Sequence, residues 1–95
     1  MNVSFIINST RKLSVFAKDV IALVESSDEL QGNYYYTDSP KHAIQIANEI
    51  VSSADLIVAV GGDGTCNEVI NGIGLTGLTK TKFAVIPTGS GNDFS

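Results

Sequence analysis

The apolar positions of this chain change period as they run. Val3 to Ile7 is a short, mostly apolar run, which predicts a buried strand. Leu13, Phe16, Ala17, Val20 and Val24 then recur at helical spacing and predict a helix from about Lys12 to Ser26, fading at "SSDELQGN". Tyr34 to Tyr36 reads as a second strand, since aromatic side chains suit a pleated surface. Ser39 and Pro40 predict the N-cap and first residue of a second helix, with Ala43, Ala47, Ile50, Val51 and Ala54 as its apolar face. Asp55 to Val60 is a third strand. Its "LIVAV" is apolar at every position, as expected where helices cover both faces of a parallel sheet. Val69, Ile70 and Ile73 predict a third helix, ended early by Asn71-Gly72 or running on to about Gly74. "GLTGLTKTK" reads as a loop, Phe83 to Ile86 as a fourth strand, and Pro87 as its end. "TGSGNDFS" reads as a turn leading into a further helix.

This alternation predicts an α/β class: a Rossmann-like layered fold, with a mostly parallel sheet of about four strands flanked by helices and right-handed crossovers. A strand order of 2-1-3-4 puts the loops after strands one and three at the switch point, where open α/β sheets bind ligands. The last residues point towards an element that the chain does not contain. The chain therefore reads as the front portion of a larger domain.

Composition narrows the function. With 95 residues and 43% hydrophobic content, one compact domain is expected. The net charge is −4, and the six basic residues are scattered, which argues against nucleic acid and against a cationic membrane patch. Cys66 is the single cysteine, so no disulfide forms within the chain and no metal-ligand spacing exists. No stretch approaches the roughly 20 apolar residues of a membrane span. A cytoplasmic setting is expected.

The chemistry-bearing stretch is "VGGDGTCNEVING", Val60 to Gly72. Strand, glycine turn and helix together form an anion-binding arrangement. Glycines allow positive φ and close approach, and the first N–H groups of the helix have no internal partner. Two better-known glycine motifs do not fit. Asn67 stands where the dinucleotide fingerprint needs its third glycine, and "GIGLTG" follows a helix rather than a strand. No Gly-Lys-Ser/Thr occurs, so the phosphate lysine of a P-loop is missing. Thr65 offers a hydroxyl at the turn, Asp63 a carboxylate, and Asn67 and Glu68 further polar groups. Glu68 also fits a capping box with Thr65.

"GGDGTCNEVINGI" followed by "PTGSGNDF" resembles the catalytic domain of the diacylglycerol kinase and sphingosine kinase superfamily, the bacterial soluble lipid kinases above all. "GGDGT" alone is less specific, since NAD kinases and 6-phosphofructokinases carry related turns. The resemblance implies that residues 1–95 are the nucleotide-binding N-terminal portion of a two-domain enzyme whose β-rich second domain is absent from this chain. It implies ATP with Mg²⁺, and transfer of the γ-phosphoryl to a lipid alcohol such as diacylglycerol, bound mainly by that second domain. Transient contact of the whole protein with a membrane surface follows. It further implies that Gly61, Gly62, Asp63, Gly64, Thr65, Asn67 and Glu68 surround the ATP phosphates. Asn8 and Thr37 would join the nucleotide site, and Ser90 stands where the family usually has a nucleotide-contacting Thr. The family's Asn-Pro and small-residue turn is here "NSTRK", with Ser9 for Pro and Arg11 for Gly. The general base and the magnesium-linked acids of the family lie in the later domain, so no catalytic or metal-ligating residue is expected here. Asp93 fits either a helix cap or a metal-linked role.

Two other readings stay open at this point: a free-standing ATP-binding regulatory module or subunit, and a relative of NAD kinases. His42 reads as a surface histidine, the three tyrosines as strand packing, and Cys66 as non-catalytic for want of a base partner.

Overall fold

The computed structural model describes residues 1–10, 12–39 and 41–87, and for 75 and 76 the backbone only. The elements run β1 (Asn2–Asn8), α1 (Val15–Ser26), β2 (Gln31–Thr37), α2 (His42–Ile50), β3 (Leu56–Gly61), α3 (Asp63–Leu78) and β4 (Lys82–Pro87). The strands form one sheet in the order β2-β1-β3-β4, and every pairing is parallel. Class and strand order are those expected.

Side-chain alternation explains the layers. Along β1, Val3, Phe5 and Ile7 point to one face and pack with Ala17 and Val24 of α1, joined by Val58, Val60 and Ile86. Ile6 points to the other face, into a cluster with Ala43, Ile46, Ala47 and Ile50 of α2 and Val69 and Ile73 of α3. One helix therefore covers one face and two cover the other. With both faces buried, β1 and β3 carry apolar side chains on both sides, the small buried Ser4 excepted. Phe5 and Tyr34, register partners across β1 and β2, stack with centroids 5.3 Å apart and planes 9° apart.

Several boundaries differ from expectation. α1 begins at Val15 because the Ser14 hydroxyl caps it, accepting from the Ala17 N–H at 3.1 Å. Its buried face turns on Ala17 and Val24, leaving Phe16 62% exposed instead of in the core. Ser39 is not the cap of α2. That position is Lys41, in the left-handed region at φ 67, with no side-chain cap bond; Pro40 lies outside the described residues. Val51 and Ala54 follow α2 rather than belonging to it, though Ala54 is buried beside it. Asn71-Gly72 does not end α3. The helix breaks at Gly74 (φ 74, ψ 168) and resumes to Leu78, over residues expected to be loop. The tail 88–95 lies outside the described residues.

Polar ties hold the amino rim of the sheet. Asp55 joins β1 to β4, its N–H donating to the Asn2 carbonyl at 2.9 Å and its carbonyl accepting from Lys82 at 3.1 Å. Its carboxylate accepts from the Asn2 N–H at 2.7 Å. The Thr81 hydroxyl, on a side chain only 4% exposed, donates to the Val51 carbonyl at 2.9 Å. Met1 sits at this rim too, its carbonyl accepting from the Gln31 N–H at 2.8 Å.

Candidate functional site

Because all the strands are parallel, their carboxyl ends form one rim. A cleft of about 330 Å³ opens there. β1 and the turn after it contribute Asn8 and Thr10. The end of β2 contributes Thr37, Asp38 and Ser39. The first turns of α3 contribute Gly64, Thr65 and Glu68.

Short polar contacts tie these ends together. The Asn8 side-chain carbonyl accepts from the Thr10 N–H at 3.0 Å and from its hydroxyl at 2.6 Å, folding the turn after β1. The Asn8 amide donates to the Thr65 hydroxyl at 3.4 Å, linking β1 to α3. The Ser9 N–H and hydroxyl both donate to the Thr37 carbonyl, at 2.8 and 2.7 Å. Ser9, where the resembling family has Pro, thus clamps the ends of β1 and β2. Arg11 lies outside the described residues.

The glycines of the turn act through space rather than through positive φ, since among the described glycines only Gly74 has φ in that region. A Cβ on Gly61 would stand 2.6 Å from the Thr65 hydroxyl and 2.8 Å from its Cβ. Glycine there lets Thr65 lie flat on the strand end, where it is only 8% exposed. A Cβ on Gly64 would meet nothing within 4 Å. At Gly64, the absent side chain leaves the helix backbone open to the cleft.

α3 starts at Asp63, and its first turn closes when the Cys66 N–H donates to the Gly62 carbonyl at 3.1 Å. The N–H groups of residues 62–65 therefore have no intrahelical acceptor, and the helix dipole is positive at that end. Two of these residues, Gly64 and Thr65, line the cleft. Thr65 is the third residue of the helix and not its cap, so it forms no capping box with Glu68. No lysine or arginine lines the cleft among the described residues, while Asp38 and Glu68 do. Nor do the described residues include a cluster of three His, Cys, Asp or Glu that could hold a metal ion.

Of the expected residues, the cleft thus gathers Asn8, Thr37, Gly64, Thr65 and Glu68. Gly61 lies buried beneath Thr65, and Gly62 is half-buried beside it. Asp63 and Asn67 are exposed and do not line the cleft. Ser90 and Asp93 fall outside the described residues. Thr10 lies in the loop after β1 expected at the switch point, while Asp38 and Ser39 enter the site without having been singled out for it. Their signal was position alone: each lies within two residues of a strand's carboxyl end, the edge where such sheets bind ligands.

A parallel sheet with helices on both faces and a cleft at its carboxyl rim belongs to the doubly wound α/β class of architecture. Within that class the chain belongs to the diacylglycerol kinase catalytic domain family, whose model matches residues 2–95. It is 34% identical over 98 residues to the diacylglycerol kinase of Bacillus subtilis, covering 95% of this chain and 30% of that protein. A 43-residue stretch is 54% identical to the diacylglycerol kinase of Staphylococcus epidermidis, covering 45% of this chain and 13% of the relative. The crystal structure of a diacylglycerol kinase from Bacillus anthracis superposes with a TM-score of 0.69 at 30% identity, over 99% of this chain and 36% of that one. The chain thus spans about a third of the length of its full-coverage relatives.

Proposed function

We propose that this chain carries the ATP-binding part of a lipid kinase, which transfers the γ-phosphoryl of ATP to the hydroxyl of a diacylglycerol-like alcohol. Membership of the diacylglycerol kinase catalytic family supports a kinase acting on a lipid. The observation that carries the nucleotide reading is the α3 start. Its first N–H groups, which have no intrahelical acceptor, stand at a cleft where Gly64 leaves the backbone uncovered. The buried Thr65, held by Asn8, adds a hydroxyl at the same corner.

Phosphoryl transfer needs positioning and neutralisation of charge more than covalent chemistry. Main-chain donors supply the positioning here. The cleft's own charged side chains among the described residues are acidic, so the countercharge has to arrive as Mg²⁺ bound to the nucleotide. On this reading the acceptor lipid would be bound, and the general base and metal ligands supplied, by a further part of the protein, since this chain spans only about a third of its relatives. The whole protein would work from the cytoplasm, touching the membrane surface for its lipid. Among the described residues no helix is long and apolar enough to cross a membrane.

The test is a calorimetric titration of the chain with Mg-ATP, beside a lipid phosphorylation assay. Saturable Mg-ATP binding with no phosphorylated diacylglycerol is the expected pair of results. A chain that binds no Mg-ATP ends the nucleotide reading. Turnover by the chain alone ends the division of labour between its two parts.

A further inference from the structure

The β2 side of the cleft carries a carboxylate that the glycine motif leaves unused. Asp38 follows Thr37, the last residue of β2, and lines the cleft with it. We propose that Asp38 reads the ribose of the bound nucleotide, accepting a hydrogen bond from the ribose 2′-hydroxyl and so fixing which way the nucleotide lies. The assignment rests on the cleft being the ATP site.

Topology separates the two ends of the cleft. In the order β2-β1-β3-β4, the end of β2 lies two strand spacings from the β3 to α3 corner, about 10 Å. Charge then decides which part of the nucleotide goes where. Phosphate oxygens are drawn to the N–H groups of the α3 start and repelled by a carboxylate. At the Asp38 end a neutral hydrogen-bond donor is needed, and the ribose hydroxyls are the donors nearest the phosphates. In dinucleotide-binding folds an acidic residue takes the ribose 2′-hydroxyl; Asp38 lies before the glycine turn in sequence, so the likeness is one of chemistry and not of motif. Glu68 is the other carboxylate in the cleft, but it sits one helical turn beyond Gly64, at the phosphate end.

The surroundings of Asp38 suit this role. Its side chain is 81% exposed, and its Oδ1 lies 3.8 Å from the His42 Nδ1, beyond hydrogen-bond length. That Nδ1 is occluded, with no hydrogen-bond partner among the described residues. The imidazole therefore lies beside the Asp38 carboxylate without tying it up, and the carboxylate is exposed to a ligand. The neighbouring Ser39, also on the cleft, extends the same polar end.

The experiment compares Mg-ATP, Mg-2′-deoxyATP and Mg-GTP binding to the unsubstituted chain and to Asp38→Asn. Asp38 is exposed, so Asp38→Asn folds normally by circular dichroism. A hydrogen bond to a charged acceptor discriminates by about tenfold or more. The unsubstituted chain should prefer ATP over 2′-deoxyATP by that factor. Asp38→Asn should lose most of the preference, weakening ATP while leaving 2′-deoxyATP nearly unchanged. ATP binding without the preference, or an equal loss for both nucleotides, overturns the assignment while the cleft reading stands. If the substitution erases an ATP-over-GTP preference and spares the ribose preference, the carboxylate reads the base, and the ribose assignment is again overturned. Absence of any Mg-ATP binding by the unsubstituted chain overturns the cleft reading and this assignment with it.

Discussion

At Gly64 a methyl group would enter open space, and at Gly61 it would strike Thr65. The two glycines of one turn therefore answer to different demands, and substitution separates them. Gly64→Ala should keep or slightly raise the thermal midpoint and weaken Mg-ATP binding about tenfold, because its methyl group stands between the backbone and an approaching phosphate. Gly61→Ala should cost about 1–3 kcal/mol of stability in a urea titration, through overpacking against Thr65. Tyr34 offers a residue-scale test away from the cleft. Burial first, and the nearby Glu25 carboxylate second, push its pKa above the ordinary 10.0. Its occluded hydroxyl makes no hydrogen bond by geometry among the described residues. The folded phenol resists ionising while the unfolded one does not. Its contribution is thus fully present below the unfolded pKa and is lost as pH rises through the folded one. Urea midpoints taken from about pH 9 upward should fall more steeply for the unsubstituted chain than for Tyr34→Phe.

α3 holds two glycines whose roles are opposite in kind. A Cβ on Gly72 would strike the Ile44 carbonyl and stand 2.7 Å from the Ala47 Cβ, so Gly72 lets α2 and α3 pack backbone to backbone. A Cβ on Gly74 would touch nothing within 4 Å, yet its φ of 74 with ψ 168 is a conformation that only glycine adopts readily. Gly74→Ala should therefore cost about 1–3 kcal/mol purely as backbone strain, with urea denaturation as the measure. The Asn48 amide, which donates to the Gly72 carbonyl at 3.4 Å, caps a group near this break. These features explain what could be read from the chain. β1 and β3 were legible because burial on both faces writes a near-continuous apolar run, broken in β1 only by the buried Ser4. The start of β2, Gln31 to Asn33, was not, because an edge strand needs no such run. The segment after Gly74 was missed because its helix follows a φ above zero rather than an apolar period. At the site, "GGDGT" announced the α3 corner, whereas Asp38 and Ser39 carry no motif and become visible only once the sheet brings the strand ends together.

For the whole molecule, charge sets the terms of binding. A chain of net charge −4, with carboxylates in its cleft, should take ATP poorly without a divalent cation. Chelation of Mg²⁺ by EDTA should weaken ATP binding by about tenfold or more in the same calorimetric titration, and Mg²⁺ should restore it. Equal affinity with and without the metal would contradict the charge argument. The two rims of the sheet also differ in how they use their polar groups. The amino rim closes its own on one another through Asp55, Asn2 and Thr81, while at the carboxyl rim the first N–H groups of α3 have no intrahelical acceptor. Met1 is fastened to the closed rim by Gln31. A seven-residue strand at about 3.3 Å per residue puts that end more than 20 Å from the cleft. A tether attached ahead of Met1, for immobilisation on a sensor chip or fusion to a reporter, would leave the mouth of the cleft facing bulk solvent.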